Sequence, residues 1–482
     1  MENIIGRETE KLILQEALLS KEAELIAVYG RRRVGKTFLI RQFYSKHIIC
    51  EFSGVHNSTV QEQLENFRNV IAFALDSPIA TAIPKSWTEA FLTLIRFSEP
   101  SLVKGKVVIF FDEFPWLSSP KSGFLSAFEY FWNSWGSKQA NLIVTICGSS
   151  ASWMIQKIIN NKGGLHNRIT KRMRLLPFTL YETSAYLKSK SVNLNQYQTL
   201  QIYMALGGIP HYLKEIRKGE SATQVIDRLC FSKDGLLVNE FTNLYHSLFE
   251  AADRHINVVK ALAAKPSGLT RKQIIESCNL QSGGGTTKML DELIESGFVN
   301  LHLPFQKNIK EAIYKLSDEY SLFYLKFIEH SRVTGQGTWI KRSTSQSWKS
   351  WSGTAFESIC LKHKSQIKSA LGISGIYTEE SAWRYVAGKY GKGTQIDLLL
   401  DRQDVCISIC EMKFCNAEFT IDKAYAADLQ DKLTIFKEKT KTRKTLFLTM
   451  VTTYGIKDNV YKTGLVQNEV IMEDLFKAGD VQ

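Results

Sequence analysis

The chain has 482 residues, 44% of them hydrophobic and 23% charged, which is the size of about three folded domains and not the make-up of a disordered polymer. Nowhere do about 18 apolar residues run together, so no membrane-spanning helix is expected. Lys plus Arg number 61 against 48 Asp plus Glu, and the formal charge of +13 favours a polyanionic partner such as nucleic acid.

The first residues, MENIIGRETEKL, carry early acids and no apolar core, so they do not read as a secretory signal. The 8 cysteines include no CxxC pair, which points to reduced core thiols and a cytoplasmic protein. Apolar strand-like runs at 24–29, 47–53, 106–112 and 141–147 alternate with helical patterns. This is the rhythm of an α/β domain with a parallel sheet, assigned to 1–178. A mainly helical segment, 179–250, follows. In 251–330 three short helices precede strand-like runs at 297–303 and 311–316. The polar stretch 331–347 has no apolar period and reads as a linker. Residues 348–482 have a helix, strands and a helix of their own.

The first strand runs into Gly30-Arg31-Arg32-Arg33-Val34-Gly35-Lys36-Thr37 and then into a helical pattern. G-x-x-x-x-G-K-T between strand and helix is the setting of a phosphate-binding loop. The glycines let backbone N–H groups curl around phosphate oxygens, and the helix N-terminus adds partial positive charge. Lys36 is expected at the β- and γ-phosphates of ATP, and the Thr37 hydroxyl on Mg²⁺. The next buried strand, VVIFFDE, ends in two carboxylates. Asp112 can hold Mg²⁺ through water, and Glu113 can orient and deprotonate an attacking water. A later apolar strand, LIVTIC, ends in Gly148-Ser149-Ser150, where either serine could contact the γ-phosphate or the water.

In the last part, Glu357 lies on a helix, and two strands joined by a polar turn carry Asp397, Glu411 and Lys413. Period two puts Glu411 and Lys413 on one face, and a hairpin sets Asp397 beside Glu411. Facing carboxylates with a lysine make a Mg²⁺ site able to polarise water. The competing reading is a hairpin in which Glu411 only pairs with Lys413 or a neighbour.

Taken together, Ile5-Gly6-Arg7-Glu8, GRRRVGKT, VVIFFDEFPWL and LIVTICGSS resemble the AAA+ ATPases. More narrowly they resemble the prokaryotic branch known mainly from archaea, close to the STAND signalling ATPases. Gly163-Gly164-Leu165-His166-Asn167-Arg168 and Gly207-Gly208-Ile209-Pro210 are similar to that branch's arginine segment and helical lid. The resemblance implies that Ile5, Gly6 and Arg7 lie near the adenine. It also implies that Arg168 acts as an arginine finger, which would need a homo-oligomer.

The helix–helix–helix–hairpin order of 251–330 resembles a winged helix, with Thr286, Thr287 and Lys288 placed to meet DNA, while Asp291, Glu292 and Glu295 on the same helix would repel phosphates and favour the alternative of a protein–protein spacer. The order of Glu357, Asp397 and Glu411-x-Lys413 resembles the PD-(D/E)XK nucleases, which implies metal binding by Glu357, Asp397 and Glu411 and catalysis by Lys413. The expected fold is a P-loop NTPase of AAA+ type with a helical lid, a winged-helix module and a restriction-endonuclease-like α/β domain. The expected function is an ATPase coupled to a Mg²⁺-dependent DNA nuclease. The alternative is a STAND-like signalling or assembly ATPase whose C-terminal domain binds a partner without cleaving.

Overall fold

A computed structural model describes residues 3–75, 82–160, 163–331, 337–387 and 393–479. The apolar runs of the first part become β1 (Glu24–Tyr29), β2 (Ile48–Ser53), β3 (Val107–Asp112) and β4 (Leu142–Gly148), joined by β5 (Lys171–Arg174). They form one parallel sheet in the order β2-β3-β4-β1-β5. Every residue of β3 and β4 is buried, so both faces are covered there and neither strand alternates. An aromatic core holds one side: Phe91 meets Phe111, Phe124, Phe128 and Phe131 at ring separations of 5.0 to 6.1 Å. Such pairs add about 0.5–1.5 kcal/mol each beyond their buried area. With β1 beside β4 and β4 beside β3, the C-terminal ends of all three strands lie together. That places the glycine loop, Asp112, Glu113 and Ser149 at one edge.

The chain divides into two compact units, one made of 1–177 with 248–250 and 291–297, the other of the remaining residues. The helical segment, most of the middle module and the C-terminal part therefore share one unit.

That second unit opens with helices Leu180–Ser189 and Gln196–Leu206. Thr179 and Glu182 close a capping box at the start of the first, satisfying orphan N–H groups there. The predicted three helices and hairpin follow in order: Ala252–Ala263, Arg271–Ser277, Gly284–Glu295, then β7 (Val299–His302) and β8 (Ile313–Leu316). A two-residue strand, β6 (Leu269–Thr270), joins them in an antiparallel sheet of order β6-β8-β7.

The last sheet contains β9 (Thr378–Tyr385), β10 (Thr394–Arg402), β11 (Cys406–Lys413), β12 (Thr445–Thr452) and β13 (Asn468–Ile471), in the order β13-β12-β11-β10-β9. β9, β10 and β11 are antiparallel neighbours, while β11, β12 and β13 run parallel. Helix Lys423–Thr440 makes the crossover from β11 to β12, as a parallel pair requires. Helix Gln346–Lys362 packs against β11.

The helix Gln196–Leu206 also meets this last part. Tyr197 stacks on Phe414 at 5.4 Å, and Tyr203 meets His363 edge-on at 5.9 Å. Beyond its end Gly207 lies against Glu319, a buried carboxylate that takes the Lys362 ammonium.

The stretch read as a linker is a core element from 337 onward. Thr338–Arg342 is helical, and Trp339 is 1% exposed, stacked on Phe231 at 5.4 Å and edged by Phe323 and Trp348. Asp227 accepts the backbone N–H groups of Gly337 and Trp339 at 2.7 and 2.6 Å, which anchors the segment. The polar composition hid one large apolar side chain. Residues 332–336 of that stretch lie outside the described residues. No helix among the described residues is long and apolar enough to cross a membrane.

Candidate functional site

The glycine loop leaves β1 at Gly30, whose φ is +146°; a Cβ there would come within 2.3 Å of the Leu175 carbonyl oxygen, so only glycine fits. Arg33 and Gly35 also hold positive φ, at 71° and 93°, which coils the loop before helix Lys36–Phe43 begins. Val34 is buried beneath it, and Arg31 is 2% exposed. Arg32 lies over the Trp116 ring at 5.5 Å.

Lys36 is 6% exposed, and its ammonium donates to the carbonyls of Gly30 and Arg31 at 2.8 and 2.9 Å. Burial pushes its pKa down, opposed by Cys147, Glu113 and Asp112. Thr37 Oγ1 donates to Asp112 Oδ2 at 2.8 Å, so two hard oxygen donors meet at one point. Burial raises the Asp112 carboxyl, and the Thr37 hydrogen bond partly offsets it.

Glu113 follows in the left-handed region, with φ 46°. Its Oε2 accepts Ser149 Oγ at 2.8 Å and Ser149 N at 3.2 Å. Of the two serines left open by the sequence, Ser149 is the one turned to this carboxylate; Ser150 makes no side-chain cap to the next helix.

The N-terminal segment joins the same loop. Arg7, itself at φ 62°, donates from Nη2 to the Val34 carbonyl at 3.2 Å, with Gly6 at φ 65° and half-buried Ile5 just before it. Arg168 is exposed on the segment leading to β5. Cys147, wholly buried at the end of β4, lies close enough to Asp112 and Lys36 to affect both, but a cysteine in an apolar strand reads as core.

In the C-terminal sheet, the β10–β11 register runs from Asp401 opposite Ile407 to Leu398 opposite Cys410, and Asp397 and Glu411 are the residues that follow at that end of the ladder. Lys413 lies 3.2 Å from Glu411 Oε1. Lys432 pairs with Glu411 Oε2, and Tyr425 OH donates to Oε1 at 2.9 Å. Burial would raise the Glu411 carboxyl, but Lys432, Lys413 and Tyr425 outweigh it and hold it below the usual range. Gln395 Nε2 donates to Asp397 Oδ1 at 2.6 Å, and Lys315 from β8 stands 3.7 Å from the same oxygen.

Glu357 faces these groups from helix Gln346–Lys362. Burial, then the charges of Asp397 and Glu411, push its carboxyl up to about 7, against Lys413 and Lys315. All four sequence candidates are thus within electrostatic reach of one another.

Among the described residues no group of three or more His, Cys, Asp or Glu is arranged to hold a metal ion. The carboxylates repel, and each turns to a protein partner: Glu411 to Lys432, Lys413 and Tyr425, and Asp397 to Gln395. Lys315, Tyr425 and Lys432 were not foreseen: Lys315 comes from the middle module, and Tyr425 and Lys432 reach Glu411 only through the way the crossover helix packs back on β11.

Residues 5–216 match the model of a family described as an ATPase domain predominantly from Archaea. Over 398 residues the chain is 23% identical to an uncharacterized protein, MJECL04, of Methanocaldococcus jannaschii, covering 82% of this chain and 83% of that one. The Walker-type ATPase PABY2304 of Pyrococcus abyssi shares the fold at a TM-score of 0.50 and 19% identity, over 67% of this chain and 96% of its own. The ORC2 protein of Aeropyrum pernix, solved in complexes with ADPNP and ADP, aligns at a TM-score of 0.40 and 16% identity, over 67% of this chain and 95% of its own. The loop and its two-carboxylate strand lie inside the segment 5–216 that matches this archaeal-type ATPase domain.

Proposed function

We propose that the chain binds and hydrolyses ATP at the glycine loop and that its C-terminal sheet carries a Mg²⁺-dependent DNA nuclease. For the first part, the carrying observation is Glu113 held by Ser149 beside the Thr37–Asp112 pair. Lys36 binds the β- and γ-phosphates, and backbone N–H groups of the loop, from Gly30 through Val34 to Gly35, cradle them. Ile5, Gly6 and Arg7 border the adenine. Thr37 and Asp112 fit a Mg²⁺ ion bound with the phosphates, where it would neutralise their charge. Glu113 takes the proton of the attacking water, and Ser149 fixes the direction in which that carboxylate points. Arg168, being exposed, can reach the phosphates of a neighbouring copy in a homo-oligomer.

For the second part, the carrying observation is that Asp397 and Glu411 come together at the end of the β10–β11 ladder, within reach of Glu357, with Lys413 3.2 Å from Glu411. Glu357, Asp397 and Glu411 are the carboxylates that would hold a divalent cation once Glu411 gives up a protein partner, and the cation would supply charge for a phosphodiester transition state. Lys413 would position the attacking water.

The competing reading, a signalling or assembly ATPase with a non-cleaving C-terminal domain, is favoured by Glu411 already having three protein partners. The deciding experiment is Mg²⁺-dependent cleavage of single-stranded and duplex DNA, with and without ATP. Cleavage that needs Asp397 establishes the nuclease; intact ATPase turnover with no cleavage of either DNA establishes the alternative.

A further inference from the structure

We propose that Lys315, on β8 of the middle module, is a phosphate ligand for a DNA strand, and that the cleft it shares with Glu357 and Asp397 receives that strand. The identity of the ligand rests on the nuclease reading of the carboxylate cluster; the role of Lys315 rests on geometry.

β8 is held in place from outside its own module. The turn between β7 and β8 bridges to β9: the N–H of Phe305 donates to the Ala382 carbonyl at 2.8 Å. The Phe305 ring packs on Phe436 at 5.5 Å. The hairpin is therefore fixed to the sheet that carries Asp397, and Lys315 is delivered to it. Its side chain is only 15% exposed, yet its ammonium is 3.7 Å from Asp397 Oδ1, beyond hydrogen-bonding reach. That oxygen already accepts Gln395 at 2.6 Å. An ammonium brought this deep and not closed onto its carboxylate keeps donor capacity for a further anion.

The cleft in front of it measures 720 Å³. It is lined by Lys315, Asn300 and Lys326 from the middle module's side and by Trp351, Glu357 and Asp397 from the other. Sites of about 300–1,000 Å³ take ligands the size of a few groups, which suits one strand with a base against Trp351 more than the body of a duplex. Two lysines on one wall meet phosphates, while the carboxylates on the other wall face the bond to be cut. The middle module then serves as the second half of one site, and not only as a spacer.

The test uses the full chain, a fluorescein-labelled oligothymidylate and Ca²⁺ in place of Mg²⁺. Lys315→Met is expected to weaken binding about 10-fold or more and to lower the salt dependence by roughly one phosphate contact. Lys315→Arg should recover most of the affinity. ATP turnover and melting temperature should stay at wild-type values; where Met disturbs melting, Lys315→Gln replaces it. Equal affinity and salt slope in wild type and Lys315→Met overturns the proposal, as does a wild type that binds no strand or binds duplex more tightly. Lys315-dependent binding with no cleavage in Mg²⁺ leaves the phosphate ligand standing and removes the nuclease reading alone.

Discussion

The backbone N–H of Leu180 donates to Nε2 of His363 at 3.0 Å, tying the first residue of one helix to the C-cap of the helix that carries Glu357. Nδ1 of the same ring lies 2.8 Å from the Ile359 carbonyl. One nitrogen must accept and the other must donate, so the ring is neutral with its proton on Nδ1.

Burial pushes His363 from 6.5 down to about 4. A depressed histidine keeps its full contribution above pH 6.5 and loses it as the pH falls toward 4, because the unfolded chain takes the proton first. The span corresponds to roughly 3 kcal/mol at most. His302 is depressed in the same sense, by burial and then by Lys315 and Lys364. Urea melts across this window should show wild type losing stability steadily, and His363→Gln losing less. Parallel pH profiles would refute the neutral buried ring.

At the glycine loop, Lys36→Ala should remove most ATP affinity. Glu113→Gln should bind ATP and lose about 100-fold or more in turnover. Ser149→Ala should bind normally and lose about 10-fold, the value of one hydrogen bond to a carboxylate. Fluorescent-nucleotide titration and phosphate release separate the three. Wild-type turnover in Glu113→Gln would exclude it as the base.

Arg168→Ala should keep binding and lose up to about 10³-fold in turnover. Mixing it with Lys36→Ala protein should restore part of the activity, since one variant supplies the loop and the other the arginine. Absence of rescue in a sample shown to oligomerise would place Arg168 outside a neighbour's site.

In the C-terminal cluster, Asp397→Ala should abolish Mg²⁺-dependent cleavage while ATP turnover stays normal. Lys413→Ala should spare metal binding, followed by calorimetry, and still block cleavage. Lys432→Met should leave Glu411 with one counter-charge fewer and tighten Mg²⁺ binding. Cleavage surviving Asp397→Ala would sink the nuclease assignment.

Trp339→Ala should destabilise the second unit by about 3–5 kcal/mol, as loss of a fully buried aromatic does. A melting temperature within error of wild type would mean that the segment is not part of the core.

The glycine loop was legible because its chemistry needs glycine, lysine and threonine at fixed steps along one stretch of backbone. β3 and β4 were legible because burial on both faces leaves a continuous apolar run. β9 left no such mark: its residues, TEESAWRY, are half-buried or exposed throughout and show no period. Spacing alone found Asp397, Glu411 and Lys413, since neighbouring strands fix those relations. It was blind to Lys315, which comes from the distant β8, and to Lys432, whose reach to Glu411 depends on which face of the crossover helix packs on β11. Ser149 and Ser150 could not be separated until the end of β4 fixed which hydroxyl meets Glu113.

The helix Gln196–Leu206 touches the C-terminal part through Tyr197 on Phe414 and Tyr203 on His363, and Gly207 beyond its end lies against Glu319 of the middle module, the partner of Lys362. A domain seated that way is not detachable cargo. Grafting a different C-terminal domain onto this ATPase would strip two matched contacts from the helix and leave the buried Glu319 without Lys362. The helix and the domain behind it can be exchanged between chains only as a single inherited block.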